Sequence, residues 1–333
     1  MGREKAKFYK ANLRQQVIAK LTSKLAIGES KHDDKIKGVD KTKKIYSWGS
    51  FKTYQKQCLS FVKWLEQSHP EVKSINRAKP YIAEYLNHQL DKGCSAWTIN
   101  TQAQSINKLY GIKKGDQYFF QCPERRRCDI VRSRYERAND SHYSLKNNSE
   151  LTEFCRSTGL RRSEVKALQG NEALTRQQLE LRSKAENEPK IAKMINDALL
   201  MPEKYQYFVY IKSGKGGRPR LAPILGNNPK AIYEKIKTTP KTDKVFPHVH
   251  HNADIHSFRA DYATALYNET ARPIESIPYD KINKGTGHPY QSEVYHCRKD
   301  QKGINLDKQA MLYTSKALGH NRIDIIANNY IRT

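Results

Sequence analysis

The sequence lacks any long apolar run: no stretch of its 333 residues approaches the roughly 18–20 apolar residues that a helix needs to cross a bilayer. The Lys-rich N-terminus is not followed by an apolar segment, so no secretory signal peptide is evident. The 6 cysteines include no CxxC pair, which predicts reduced thiols in a cytoplasm. Cys122 and Cys128 flank a basic run, but further zinc ligands at good spacing are missing. No segment matches the phosphate-binding loop GxxxxGK[ST].

Acidic residues are scarce beside basic ones. The chain has 34 Asp and Glu against 60 Lys and Arg, a net charge of +26 that is spread along most of its length. A broad basic surface suits a protein that covers many phosphates of a nucleic-acid duplex. A ribosome-associated or merely basic soluble protein is the alternative that charge alone leaves open. The hydrophobic fraction of 37% indicates a folded chain, long enough for two or three domains.

Apolar spacing predicts four regions. Residues 1–44 are polar and Lys-rich, with a helical patch at 13–25 and then a flexible lead-in; they are a possible accessory arm. Residues 45–140 predict a compact domain of three helices, the second opened by Pro80 and the third capped by Ser95 or Thr98. Residues 141–149 are the predicted linker. Residues 150–333 predict a mainly helical domain with one β-hairpin, whose strands begin near Tyr205 and Arg220.

Two candidate phosphate-binding side chains occur early in this last region. In TGLRRSEVKAL, Arg161 stands at the start of a helix, and Glu164 one turn later can fix the guanidinium for bidentate phosphate binding. Lys215 lies among glycines at the tip of the hairpin turn, where its ammonium can act as a point charge or proton donor. Taken alone, an ordinary surface salt bridge and a solvated turn lysine explain them as well.

A histidine and an arginine three positions apart follow. His256 and Arg259 share one face of a predicted helix, which suits a phosphate that needs charge neutralisation and proton transfer. Nearby histidines also allow a metal-site interpretation, although carboxylate or thiol partners are few apart from Asp254. These histidines are His248, His250 and His251.

The C-terminal run ALGHNRIDIIANNY contains His320 and Tyr330. Gly319 is predicted to end one helix, and Asn321 can cap the next. Tyr330 is a weak nucleophile at its free pKa near 10, so cationic neighbours would have to activate it. A lone tyrosine is more often packed than catalytic.

In this order, the features resemble one family. An Arg in TGLRxSE, a Lys in a GKG turn, HxxR, LGH and a late Tyr form the active-site pattern of tyrosine recombinases and phage-type integrases, and residues 46–112 look like that family's core-binding domain. The resemblance covers nearly the whole chain. It implies a mainly α, multidomain tyrosine recombinase fold, in which a SAM-like helical domain clamps DNA and an α-rich catalytic domain carries a small antiparallel β-sheet.

The resemblance also implies catalytic roles. Arg161 and Arg259 would clamp the scissile phosphate and stabilise its transition-state charge. Glu164 would support the site, and Lys215 would protonate the departing 5′ oxygen.

The remaining roles fall on three residues. His256 would handle the proton of the nucleophile, and His320 would add a hydrogen bond to the phosphate. Tyr330 would attack to form a 3′-phosphotyrosine link and a free 5′ hydroxyl. Because the link retains the bond energy, rejoining would need no ATP, and no metal or cofactor is expected.

The implied partners are double-stranded DNA recombination sites, bound by four protomers that exchange strands through a Holliday junction. Accessory DNA-bending or excision factors are further candidate partners. The setting would be the cytoplasm of a bacterial host, associated with the nucleoid, where a phage or mobile element integrates.

Three features depart from the family. His320 and Tyr330 are ten residues apart rather than nine, the chain continues for only three residues after Tyr330, and residues 271–313 look like an insertion. The insertion predicts a short extended element, either for DNA or protomer contact or as a plain surface loop.

Two other functions stay open. A topoisomerase of the type IB class uses a similar set of residues without exchanging partners, and a DNA-binding regulator could carry the set in silent form. The separate helical domain and the LGH…Tyr tail favour recombination, and the presence of every chemical residue argues against a silent site.

Overall fold

A computed structural model describes residues 11–126, 142–214, 217–320 and 322–332. Within these ranges the protein is mainly helical with small antiparallel sheets, which confirms the predicted class. The chain divides into two compact units, residues 1–125 and 126–333. Across the part that is described, no helix combines the length and the apolarity needed to traverse a bilayer.

The first unit is a helical bundle. Its long helices begin where the sequence supplies caps: the side chain of Ser47 accepts a hydrogen bond from the amide of Ser50, and Ser95 does the same for Thr98. The last long helix ends at Gly111 in a left-handed conformation. The helices are α1 (Leu13–Thr22), α2 (Lys31–Ile36), α3 (Trp48–Ser68), α4 (Ile82–Asp91) and α5 (Ala96–Tyr110), with 3₁₀ turns at Lys41–Lys43 and Lys79–Tyr81.

Helix α1 belongs to this bundle. It buries Leu13, Val17 and Leu21 in the same apolar core as α3 and α5, and Gln16 exchanges hydrogen bonds with the backbone of Lys73 and Ile75. The sequence predicted residues 1–44 as a separate segment with a flexible lead-in. The structure differs because three apolar residues at helical spacing find a partner only in the tertiary fold.

The second unit begins before its predicted first residue, since Tyr143, in the predicted linker, packs into its core. Its helices are α6 (Ser149–Thr158), α7 (Arg162–Ala167), α8 (Arg176–Ala185), α9 (Pro189–Leu199), α10 (Pro229–Thr238), α11 (Ile255–Thr270), α12 (Lys308–Ala317) and α13 (Asp324–Asn329). Its strands are β1 (Ala173–Thr175), β2 (Tyr207–Ile211), β3 (Arg220–Pro223), β4 (Lys281–Ile282), β5 (Pro289–Tyr290), β6 (Val294–His296) and β7 (Asn305–Asp307).

The predicted hairpin forms strands β2 and β3 of an antiparallel sheet with the order β1-β2-β3. Because side chains alternate along a strand, the sheet contributes to two apolar cores. Phe208 and Leu221 face one core together with α11, α12 and α13, while Val209 and Ala222 face the other together with α6 and α10. Helix α11 also contributes to both cores, so residues near its N-terminus lie where the two meet.

The predicted insertion, residues 271–313, contains two short hairpins, β4–β5 and β6–β7. Its two ends are joined, because Arg272 binds the buried carboxylate of Asp307 with Nε and Nη2 at 2.9 and 2.7 Å. The hydroxyl of Tyr267 accepts a hydrogen bond from the Asp307 amide at 3.0 Å. Tyr279 and Ile282 are exposed beside and within the first hairpin. The interval therefore has the extended structure that was predicted, and its role stays a prediction.

Candidate active site

Three arginines converge on the C-terminal end of α12. The last carbonyls of a helix lack intrahelical partners and carry partial negative charge. The carbonyl of Ala317 accepts a hydrogen bond from Arg220 Nε at 3.0 Å. The carbonyl of Leu318 accepts one from Arg161 Nη2 at 3.2 Å and one from Arg259 Nη2 at 2.6 Å. Two guanidinium groups from α7 and α11 are thus held side by side.

A single buried carboxylate, Glu164, orients two of these arginines. It accepts hydrogen bonds from the amide and Nη1 of Arg161, both at 2.7 Å, as the one-turn spacing predicted. Its two oxygens also accept from Nη1 and Nη2 of Arg220 at 2.7 and 2.6 Å. Burial by itself would raise the pKa of Glu164, but the hydrogen bonds and charges of Arg220 and Arg161 lower it to about 2. Glu164 is therefore ionised at neutral pH.

Arg220 was assigned no role from the sequence. It is 5% exposed and opens strand β3, whose other residues are apolar. A charged residue in a fully buried strand was the available signal, since buried charges need partners. Gly319 leaves space for it: at φ 68°, a Cβ at that position would come 2.8 Å from Arg220 Cδ.

Arg259 is 1% exposed and lies on α11. Its Nη1 donates to the carbonyl of Gly159, the residue that ends α6 in a left-handed conformation. A Cβ on Gly159 would come 2.3 Å from the ring of Tyr262, so only glycine allows this close approach. Burial lowers the pKa of Arg259 to about 10, with Tyr330 opposing and Arg220 and Arg161 adding to the shift. The group remains cationic at neutral pH.

Tyr330 lies directly after α13 and is 5% exposed. Its hydroxyl accepts a hydrogen bond from Arg259 Nε at 3.4 Å, and its ring lies 5.5 Å from the guanidinium carbon. Nε2 of His320 is 3.3 Å from the same hydroxyl. The fold thus brings a late tyrosine next to an arginine that precedes it by 71 residues.

The two predicted histidines flank Tyr330. The ring centroids of His256 and His320 lie 5.6 and 5.4 Å from that of Tyr330. Partial burial, followed by the charge of Arg259, lowers the pKa of His256, so its imidazole is neutral at neutral pH and can accept a proton. The amide of His320 donates to the Ser315 carbonyl at 2.8 Å, which fixes the loop after α12. In this arrangement His320 is the histidine within hydrogen-bonding distance of the hydroxyl.

Lys215 and Asn321 lie outside the described residues, so their predicted roles stay predictions. A groove of about 540 Å³, lined in part by Gly214 and Gly217, is bordered by Arg161 and His320 at the site. Five further cationic side chains line it: Lys190, Lys193, Arg218, Arg220 and Lys316. The rings of His250 and His251 stack at 5.0 Å, and across the described ranges no three His, Cys, Asp or Glu side chains group as metal ligands would.

Comparisons with known proteins are sparse. No family model matches the chain, and no curated protein does. Among solved structures, the chain is similar to XerA recombinase, with 11% sequence identity over 96% of this chain and 94% of that one, at a TM-score of 0.26. A TM-score this low leaves the function to the chemistry of the site.

Proposed function

We propose that the chain is a tyrosine-type site-specific DNA recombinase, an integrase that cleaves and rejoins DNA through a covalent bond to Tyr330. One observation carries the proposal: the Tyr330 hydroxyl lies within 3.4 Å of Arg259 Nε and 3.3 Å of His320 Nε2. A second oriented guanidinium, that of Arg161, shares the Leu318 carbonyl with Arg259. A hydroxyl among fixed cations suits attack on a phosphodiester.

The charge balance of the site supports an anionic substrate. Three guanidinium groups meet one carboxylate, and the C-terminus of α12 adds roughly half a negative charge. The site therefore keeps an excess of about one to two positive charges before substrate binds. A pentavalent phosphorane-like transition state carries more negative charge than the diester, so fixed cations favour the transition state over the ground state.

In the proposed reaction, the oxygen of Tyr330 forms a bond to the scissile phosphorus and the bond to the 5′ oxygen breaks. Arg161 and Arg259 stabilise the added charge, and Glu164 keeps Arg161 in one orientation. The phenolic proton passes to neutral His256, whose ring centroid lies 5.6 Å from that of Tyr330, once bound DNA has drawn His320 from the hydroxyl to a phosphate oxygen. Lys215 supplies the proton of the leaving 5′ hydroxyl. Reversal of these transfers by a 5′ hydroxyl from the same or another strand rejoins DNA without ATP.

The proposed partners follow from this chemistry. Rejoining to another strand requires two duplex sites, which we propose are held by four protomers and resolved through a Holliday junction. The first unit is the proposed DNA clamp, and a net charge of +26 suits a protein that contacts many phosphates. The proposal also includes accessory DNA-bending or excision factors as partners. It places the protein in the cytoplasm of a bacterial host and assigns it to a phage or mobile element. The tyrosine recombinase fold and its SAM-like domain are part of the proposal.

The decisive test is Tyr330→Phe. The variant should bind duplex DNA as the wild type does, yet lose the SDS-resistant protein–DNA adduct completely, because the attacking oxygen is gone. Gel electrophoresis of labelled DNA after SDS treatment measures the adduct. Tyr313→Phe is a matched control, since it removes a hydroxyl from α12 that pairs with Gln309 at 2.8 Å. An adduct that survives in Tyr330→Phe would refute the assignment of the nucleophile.

Two alternatives have their own outcomes. The protein is incubated with supercoiled DNA that carries two cognate sites, and the covalent complexes are trapped. Sequencing the DNA end attached to Tyr330 then reports the cleavage site and the polarity together. Relaxation without recombinant product would indicate a type IB topoisomerase activity. Tight DNA binding without any wild-type adduct would indicate a silent DNA-binding regulator.

A further inference from the structure

The chain that follows Tyr330 runs along a polar stripe of α11. Ser257, Asp261 and Thr264 are spaced by four and three residues, so they share one face of that helix. The same helix carries His256 and Arg259 of the candidate site. Whatever binds this stripe is thereby held in a fixed relation to the site.

Arg332 binds the stripe with both its side chain and its backbone. Its guanidinium donates to the carboxylate of Asp261, and Nη2 donates to Ser257 Oγ at 2.6 Å. Its amide donates to Thr264 Oγ1 at 3.1 Å, and that hydroxyl donates to the Tyr330 carbonyl at 3.3 Å. We name these four residues, Ser257, Asp261, Thr264 and Arg332, the Arg332 clamp.

The clamp holds Tyr330 from the residues that follow it, whereas α13 holds it from the residues that precede it. Before Tyr330, the anchor is a helix of only 6 residues, whose Ile326 carbonyl accepts the Tyr330 amide at 3.0 Å. After Tyr330, the side chain of Ile331 is buried, and it fixes how deeply this segment packs into the apolar core. Apolar burial is non-directional, however, whereas a bidentate guanidinium fixes direction as well.

We infer that Arg332 is a positioning residue. Its ion pair with Asp261 fixes the position and orientation of the Tyr330 backbone relative to α11, and so places the hydroxyl against Arg259 for attack. The inference rests on the proposed function, since it assigns a role in that reaction. Catalysis by positioning is sensitive to small displacements, and about 1 Å of misplacement can cost about 100-fold in rate. The contacts described for Arg332 are with Ser257, Asp261 and Thr264 of α11, so we assign its effect on the reaction to the position of Tyr330.

The test compares adduct formation in single-turnover reactions at saturating duplex DNA. Arg332→Met should slow the adduct rate constant by about 10- to 100-fold and change the Kd for DNA by less than about twofold, since the cationic site itself is intact. Arg332→Lys should recover part of the rate, because an ammonium can still reach Asp261 but lacks the planar fork. A rate loss explained entirely by weaker DNA binding would overturn the inference.

Arg156 provides a matched control. It reaches the other oxygen of the Asp261 carboxylate, with Nε at 3.0 Å, but from α6. Arg156→Met therefore removes an ion pair from the same carboxylate and should leave the adduct rate within about threefold of the wild type. Equal slowing in both variants would mean that Asp261 matters only for local stability, and the positioning role would be lost.

A second measurement does not depend on catalysis. In the absence of DNA, hydrogen exchange of the amides from residue 326 to 331 should be faster in Arg332→Met than in Arg156→Met. Unchanged exchange would overturn the clamp. The two proposals fail in different ways: a wild type without adduct removes the proposed function and the inference with it. A wild type that forms adduct, alongside an Arg332→Met protein that matches or exceeds its rate, removes only the inference.

Discussion

The two units of the chain bury different kinds of side chain. The first unit packs aliphatic and aromatic residues, with Phe61, Trp64 and Tyr85 in mutual ring contact. The second unit has apolar cores as well, yet it also encloses the ionised groups of Arg259, Arg220 and Glu164. Burying charge costs free energy unless partners replace water, so such groups persist where chemistry needs them. Arg259, Arg220 and Glu164 lie together at the candidate site, whereas Asp307, which is also buried, pairs with Arg272 at the base of the insertion.

One pair of contacts makes the contrast quantitative. Arg14 and Glu66 in the first unit form a side-chain ion pair like that of Arg220 and Glu164 in the second. The side chains of the first pair are 57% and 37% exposed, and those of the second are 6% and 3% exposed. Identical groups should therefore contribute very differently to stability.

The largest expected effect is that of Arg220→Met. Because it removes one of the two guanidinium partners of the buried Glu164 carboxylate, the variant should lose up to about 3–5 kcal/mol of unfolding free energy, whereas Arg14→Met should lose under about 1 kcal/mol. The 3 tryptophans, Trp48, Trp64 and Trp97, all lie in the first unit. Denaturant titration followed by tryptophan fluorescence reports on that unit, and far-ultraviolet circular dichroism reports on both.

Arg220→Met should accordingly shift the circular dichroism transition, and similar losses for the two arginines would break the comparison. A double variant, Arg220→Met with Glu164→Leu, sharpens it. Replacing both charges by apolar groups should restore part of the lost stability, because the buried Glu164 charge is gone and only the partly exposed Arg161 loses a partner. The double variant should still form little adduct, since Arg161 has lost the carboxylate that orients it.

A smaller effect is expected at two glycines that end helices. Gly111 in the first unit and Gly159 in the second both have left-handed φ angles, 76° and 60°. Alanine at Gly111 meets only Thr42 Oγ1 at 3.8 Å and should cost about 1–2 kcal/mol of backbone strain. Alanine at Gly159 meets the Tyr262 ring at 2.3 Å and should cost about 2–5 kcal/mol. Thermal unfolding of both variants measures the difference, and equal costs would show that the Tyr262 ring gives way.

The smallest effect is a shift in acid stability. Burial alone would raise the pKa of Glu164, but Arg220 and Arg161 lower it from the usual 4.5 to about 2. Its stabilising contribution is therefore complete above the unfolded pKa and is lost as the pH falls from about 4.5 towards 2, about 1 kcal/mol having gone at pH 4. In Arg220→Met the loss should end at higher pH and be smaller in total, because one of the two lowering charges is absent and the folded pKa lies closer to the unfolded value. Circular dichroism melts at pH 3, 4, 5 and 7 would check this, and coincident profiles for the two proteins would contradict it.

Local signals in the sequence predicted much of the fold. Ser95 caps α5 as predicted, and an aromatic, β-branched run followed by a glycine-rich turn forms β2 and β3. Caps, turns and periodicity act over a few residues, so a chain records them directly. The same kind of signal predicted the helix α1 but not its place in the bundle, because amphipathic spacing shows that a helix has an apolar face and not what covers it.

The candidate site divides in the same way. The sequence by itself determined which residue types were available: Arg161 with Glu164 one turn later, His256 with Arg259 on one helix face, and Tyr330 near the end. Only the tertiary structure decided that Arg259 meets Tyr330, that Arg220 joins Glu164, and that Arg332 binds α11. These contacts join residues separated by 56 to 71 positions. The carbonyls of Ala317 and Leu318 at the end of α12 also accept hydrogen bonds from the arginines of the site. Contacts across such distances depend on how helices pack against the sheet, and no local pattern encodes that packing.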